Sequence, residues 1–239
     1  MNQSQTVGPT KTRVLVLVMT YPHPSETYQE LVCTAGITET GEWVRLYPVD
    51  YRYRAAEQRF RKYQWIEVDL WPTGAGNDNR KESRRPDLDS IVVVGERLST
   101  ADGWAARRSI IDHLPHHTYK QLAARYDTDK TSLGIIRPTK IYDLEIRTAD
   151  PAWKPEWNQL FSQLTLFGPP QKPLRKLPYS FHYIFECEDD TKPHGQRTLI
   201  SLLRKHFGQE VGVVGTAEEF AAEAVVDRVT FDEGDGEAA

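Results

Sequence analysis

The period of the hydrophobic pattern changes near the middle of the chain. Before residue 100, apolar positions come in short runs or alternate, as strands require, because successive side chains point to opposite faces. RVLVLVM at Arg13–Met19 is one such run, LVCTAGI at 31–37 and WVRLYPV at 43–49 are two more, Trp65–Trp71 alternates, and Ile91–Val94 reads as a short buried strand. Thr38-Glu39-Thr40-Gly41 has the length and the glycine of a hairpin loop. Tyr21, Pro22, His23 and Pro24 make a turn, and Ser25–Glu30 reads as a short helical or irregular piece. Five strands joined by short turns within about a hundred residues predict a small β-barrel-like fold or a strongly curved sheet.

The second half carries helix signals. Thr118 and Gln121 form a capping box ahead of Tyr119, Leu122, Ala123 and Tyr126 at helical spacing. Pro155 suits a first helical turn, with Trp157, Leu160, Phe161 and Leu164 on one face and Gly168 beyond the end. Thr198–Phe207, closed by Gly208, is a third helix, and Thr216 with Glu219 caps a fourth. Ile135–Ile146 and Tyr179–Cys187 read as strands, the latter alternating Tyr179, Phe181, Tyr183 and Phe185 on one buried face. The predicted class is α+β, an N-terminal β-barrel-like or strongly curved sheet followed by C-terminal mixed helices and strands. The predicted divisions are a disordered segment at 1–12, a β-rich nucleic-acid-binding domain at 13–98, an α+β domain or subdomain at 99–216, and a capped helix with an acidic tail at 217–239. Trp104 is placed to pack back across the boundary near 99.

Composition narrows the class. A chain of 239 residues with 39% hydrophobic and 27% charged residues can bury a core, which excludes a disordered protein. Its longest apolar run, Val14–Met19, is strand-sized, so no membrane contact and a cytoplasmic location are expected. The two cysteines, Cys33 and Cys187, lie far apart in strand-like runs and read as free buried thiols. The net charge is -4, but residues 217–239 hold eight acids and one arginine, leaving the remainder at +3.

That mild excess matters through its placement. Between Gly41 and Trp71, Arg45, Arg52, Arg54, Arg59, Arg61 and Lys62 interleave with Trp43, Tyr47, Tyr51, Tyr53, Phe60, Tyr63, Trp65 and Trp71. Guanidinium groups attract phosphate, and rings offer bases a face to stack on, which suits single-stranded or locally opened nucleic acid. The loop Thr73–Asp89 adds Arg80, Lys81, Arg84 and Arg85. In this reading Arg45, Tyr47, Arg52 and Arg54 form a stacking and phosphate surface, while the four loop cations clamp the backbone without reading sequence. Lys172-Pro173-Leu174-Arg175-Lys176 repeats the basic theme beside the aromatic strand. The stretch CTAGITETGEWVRLYP resembles the strand, turn and strand of small nucleic-acid-binding barrels of the OB or PUA kind; the resemblance implies that kind of fold and partner and assigns no residue.

Two alternatives compete. A metal-dependent phosphodiester or nucleotide-processing enzyme would use the period-two carboxylates Glu67 and Asp69, or Asp143 and Glu145, with Arg147 beside them. A protein-interaction module would use the same Tyr, Trp and Arg residues as hot spots. His113, His116 and His117 cluster with Asp112 in DHLPHH, but adjacent histidines point apart and no ligand-spacing motif accompanies them, so no metal site is assigned. No glycine-rich phosphate loop is present, and no cofactor is expected. The sequence leaves DNA and RNA undistinguished as the nucleic-acid partner.

Overall fold

The computed structural model describes residues 8–25, 29–72, 78–148, 150–158, 174, 176, 178–189, 194–197 and 224–227. Its first half contains strands β1 (Thr10–Met19), β2 (His23–Ser25), β3 (Gln29–Leu31), β4 (Thr34–Thr38), β5 (Trp43–Leu46), β6 (Gln64–Leu70), β7 (Ser83–Arg84) and β8 (Val92–Val94). The second half contains helix α1 (Ala101–Ile111), β9 (His116–His117), helix α2 (Tyr119–Asp129), β10 (Leu133–Ile136), β11 (Lys140–Thr148), β12 (Tyr179–Glu186), β13 (His194–Arg197) and β14 (Ala224–Asp227). The class is α+β.

Six strands form the main sheet in the order β7-β5-β4-β1-β6-β8, and it does not close into a barrel. Neighbours run antiparallel except β5 and β7, which are parallel. The hairpin between β4 and β5 turns where the sequence signals it: Gly41, at φ +82°, donates its N–H to the Thr38 carbonyl at 3.0 Å. Ser25–Glu30 contributes to a strand pair, β2 with β3, rather than a helical piece. Short local runs cannot distinguish the two, and the inter-strand ladder decided it. The segment 51–62, which has enough residues for a helix, contains two single 3-10 turns at Tyr51–Tyr53 and Ala56–Gln58.

The sheet is buried on both faces, and this governs everything that follows. Val14, Val16, Val44, Leu46, Ile66, Val68 and Leu70 pack on one side against Val49, Phe60 and Ile91 from the connecting segments. On the other side Leu15, Leu17 and Ile37 meet Ile111, Leu114 and Ile135 of the second half, with Trp43 and Trp65 packed against them. An uninterrupted apolar run such as Val14–Leu17 is what a doubly covered strand needs. Gly36 lets β4 approach β1: a Cβ there would stand 2.2 Å from the Leu15 carbonyl oxygen.

In the second half, β10 runs parallel to β9 and antiparallel to β14, while β11, β12 and β13 form a separate antiparallel sheet. The expected single strand Ile135–Ile146 is therefore two, broken at Arg137-Pro138-Thr139. The Thr118 and Gln121 capping box opens α2, and Lys130 in the left-handed region closes it. Leu122, Ile136, Phe185 and Cys187 make a small third core. On β12, Phe185 is buried but Tyr179 is exposed, so the aromatic alternation does not mark one uniformly covered face. Cys33 and Cys187 are both free and buried. Residues 155–158 begin a helical turn as Pro155 predicts, while the rest of that helix and the one expected at 198–207 lie outside the described residues; of the stretch 217–239, expected as a capped helix with an acidic tail, only 224–227 are described, and they form strand β14, paired with β10, rather than helix. No helix among the described residues is long and apolar enough to cross a membrane.

Candidate nucleic-acid interface

The loop expected at Thr73–Asp89 is described from residue 78 onward, and there it is anchored along its length. Asp78 accepts from the Arg80 backbone N–H (3.1 Å), the Arg80 guanidinium (3.2 Å) and the Ser83 hydroxyl (2.6 Å). Glu82 is buried and accepts from the Ser132 and Leu133 backbone N–H groups at 2.9 and 3.2 Å. Lys81 reaches Asp129 at 2.6 Å, and together with Thr131 it holds the Asp129 carboxyl well below the usual carboxylate range. The buried carboxylate of Glu82 and the pairing of β7 with β5 fix the segment.

This segment runs from the β5 edge to the end of β6. Tyr47 donates its backbone N–H to Arg84 at 3.2 Å, Trp71 donates to Arg85 at 2.9 Å, and Asp87 donates to Asp69 at 2.8 Å. Further on, Asp89 accepts from Arg54 at 2.8 Å. Tyr47, Arg80, Lys81, Arg84 and Arg85 are thus gathered along one stretch, with Arg54 joined at its far end. The peptide bond between Tyr47 and Pro48 is cis.

The expected cations differ sharply in what they offer a ligand. Arg45 is 0% exposed and donates to the Ser132 hydroxyl at 3.0 Å, which in turn donates to Glu82 at 3.2 Å. It belongs to the covered face of the sheet, so its guanidinium is not a surface contact. Alternation correctly separates Arg45 from Val44 and Leu46; the packing of β10 on that side buries it. Arg52 donates to both oxygens of Glu30, at 2.8 and 3.0 Å, and burial pushes the Glu30 carboxyl up while Arg52 pulls it down. Arg54 pairs with Asp50 (2.7 Å) and Asp89, and Arg80 with Asp78. These pairs offset much of the positive field that a polyanion would feel.

Arg84 and Arg85 remain. Arg84, half-buried, donates to the carbonyl oxygens of Lys81 and Ser83 at 3.0 and 2.9 Å. Arg85 is exposed, and among the described residues its guanidinium has no carboxylate partner. Beside it Trp71 is 38% exposed. Trp71 belongs to the ring-rich stretch but was not singled out by the sequence; its place after the last buried position of an alternating strand, ahead of a proline, is the signal that could have found it.

The other candidate groups disperse. Glu67 and Asp69 share a face of β6 but stand opposite Arg13 and Lys11 of β1 in the ladder. Asp143 is exposed, after a register shift in β11. His116 faces Arg137 (3.3 Å) and His117 faces Arg125 (3.1 Å), while His113 contacts the Ser109 carbonyl at 2.9 Å. Burial first, and the neighbouring arginine second, push both His116 and His117 below the ordinary histidine value. Among the described residues no group of three His, Cys, Asp or Glu side chains could hold a metal ion. In the basic stretch 172–176, only Leu174 and Lys176 are described: Leu174 is buried, and Lys176 donates to the Ala152 carbonyl at 2.9 Å.

Residues 10–113 match a family model described as a domain of unknown function, DUF8758, and residues 115–205 match a second, DUF8757. No curated protein matches the chain.

Proposed function

We propose that this protein binds nucleic acid, in single-stranded or locally opened form, along the edge made by Tyr47, Trp71, Arg84 and Arg85. The observation carrying this reading is the exposed indole of Trp71 beside the exposed guanidinium of Arg85, their backbones joined by a 2.9 Å hydrogen bond. A base stacking on the indole would bring its flanking phosphate toward the arginines, the combination of platform and cation that single-strand binders use. The segment bonded to β5 at one end and β6 at the other supports the strongly curved form of the sheet and holds this edge rigid.

Two arginines outside ion pairs imply a shallow salt dependence. Neutralising about two phosphates of a single strand gives a slope of log affinity on log salt of about -1.4. Fluorescence anisotropy with labelled single-stranded 12-mers of DNA and RNA, between 50 and 200 mM salt, tests this. Trp71→Ala is expected to weaken binding by about 1–3 kcal/mol with little change in slope, and Arg85→Ala to reduce the slope by about 0.7. Parent-like affinity and slope in both variants would remove this edge as the interface.

A further inference from the structure

The end of β6 is paired on both sides. Toward β1, Thr10 stands opposite Leu70 and Lys11 opposite Asp69. On the other side Trp71 donates its N–H to the Arg85 carbonyl at 2.9 Å, Asp87 donates to that of Asp69 at 2.8 Å, and Leu70 bridges Pro86 between them. Residues directly opposite in an antiparallel ladder share a face, as do positions two apart on one strand. Leu70 belongs to the core with Phe60 and Ile91. Asp69 and Trp71 therefore point away from that core, with Lys11 and Asp87 flanking Asp69 and Arg85 flanking Trp71. On this face Lys11, Trp71, Arg85 and Asp87 are exposed and Asp69 is half-buried.

A carboxylate beside a stacking indole repels phosphate, so an acid on this face needs another role. Asp87 has a structural one: its carboxylate accepts from the Asp89 N–H at 3.2 Å and caps the 3-10 turn Leu88–Ser90. Asp69 differs. Its backbone is fixed on both sides, the N–H donating to the Ser90 hydroxyl at 2.8 Å and the carbonyl accepting from Asp87, while its carboxylate meets no donor among the described residues. Lys11 faces it across the ladder, but no ion pair joins the two.

We propose, building on the nucleic-acid reading of this edge and falling with it, that Asp69 selects guanine in the bound strand. The base stacks on Trp71 and turns its pairing edge to the Asp69 carboxylate, while Arg85 meets the adjoining phosphate. A carboxylate only accepts hydrogen bonds. Guanine alone among the common bases carries two neighbouring donors on that edge, N1–H and the N2 amine, and the two carboxylate oxygens engage both. Adenine and cytosine set a ring acceptor beside their amine, and thymine and uracil flank N3–H with two carbonyls, so all four place an acceptor against the carboxylate. Side chains two apart on a strand stand about 7 Å apart, which matches the reach from the middle of a stacked purine past its edge to a hydrogen-bond partner. Lys11 tempers the charge of Asp69 toward the strand without occupying its oxygens.

Fluorescence anisotropy with three labelled strands tests the assignment: a thymidine 12-mer, the same strand with one central guanine, and that strand with hypoxanthine, which lacks the N2 amine, in place of the guanine. The guanine strand is expected to bind about tenfold more tightly than the thymidine strand, and hypoxanthine to lose most of that gain. Asp69→Asn is expected to abolish the preference while binding the thymidine strand at least as well as the parent. No donor to the carboxylate is lost in this variant, so its urea melt is expected to match the parent's. The hypoxanthine comparison uses the parent protein and decides the matter even if the variant is perturbed. Binding of all three strands with equal affinity, or a guanine preference retained with hypoxanthine or in folded Asp69→Asn, overturns the role of Asp69 and leaves the nucleic-acid reading standing. Binding of none of them overturns both.

Discussion

Arg45→Met separates a structural arginine from a ligand-binding one. Methionine keeps an unbranched chain in the space between β5 and β10 but removes the charge and the donor to Ser132. Glu82 remains at 7% exposure, still held by the Ser132 and Leu133 N–H groups but without the cation relayed to it through the Ser132 hydroxyl. Leaving a buried charge uncompensated typically costs about 3–5 kcal/mol. At about 2–4 °C per kcal/mol for a protein of this size, the melting temperature is expected to fall by about 6–20 °C. Urea and thermal melts followed by circular dichroism measure the loss. A double-mutant cycle with Glu82→Gln isolates its cause: once Arg45 is gone, neutralising Glu82 relieves part of the penalty, so the two effects are expected to be non-additive by more than about 1 kcal/mol. The folded fraction of Arg45→Met is expected to bind oligonucleotide with parental affinity. A variant that melts within about 1 kcal/mol of the parent while binding weakly would refute the buried-network argument and return Arg45 to the interface.

Gly36→Ala is expected to destabilise by more than about 3 kcal/mol, above the usual overpacking cost, because the obstructing atom is a backbone oxygen 2.2 Å away whose displacement disrupts the β1 to β4 ladder; a parental urea midpoint would contradict this. For Lys62, burial first and Arg97 second lower the pKa from 10.5 to about 8. Between those values the unfolded chain binds the extra proton, so stability rises with pH from about 8 to 10.5, and the penalty is fully present below 8. The rise amounts to about 3 kcal/mol at most, and urea melts of Lys62→Met from pH 7 to 10 are expected to show it missing, whereas a profile parallel to the parent's would place Lys62 in water.

Local pattern was sufficient for much of the skeleton. The apolar runs give β1, β4, β5 and β6, Gly41 gives the hairpin, and Thr118 with Gln121 gives the start of α2, because each depends on residues within a few positions of one another. The run Val14–Leu17 also carries the mark of a strand covered on both faces, but no local feature says what covers it. That was decided by Ile111, Leu114 and Ile135, distant in sequence, and with it the fate of Arg45. The interface is similarly divided. Which residues carry cations and rings is written in the chain; which cations are neutralised is not, since Arg52 meets Glu30, Lys81 meets Asp129 and Arg54 meets Asp89 across 22, 48 and 35 positions. Charge is a property of a residue, but the field a ligand meets is a sum over neighbours in space, and that sum exists only once the chain has folded.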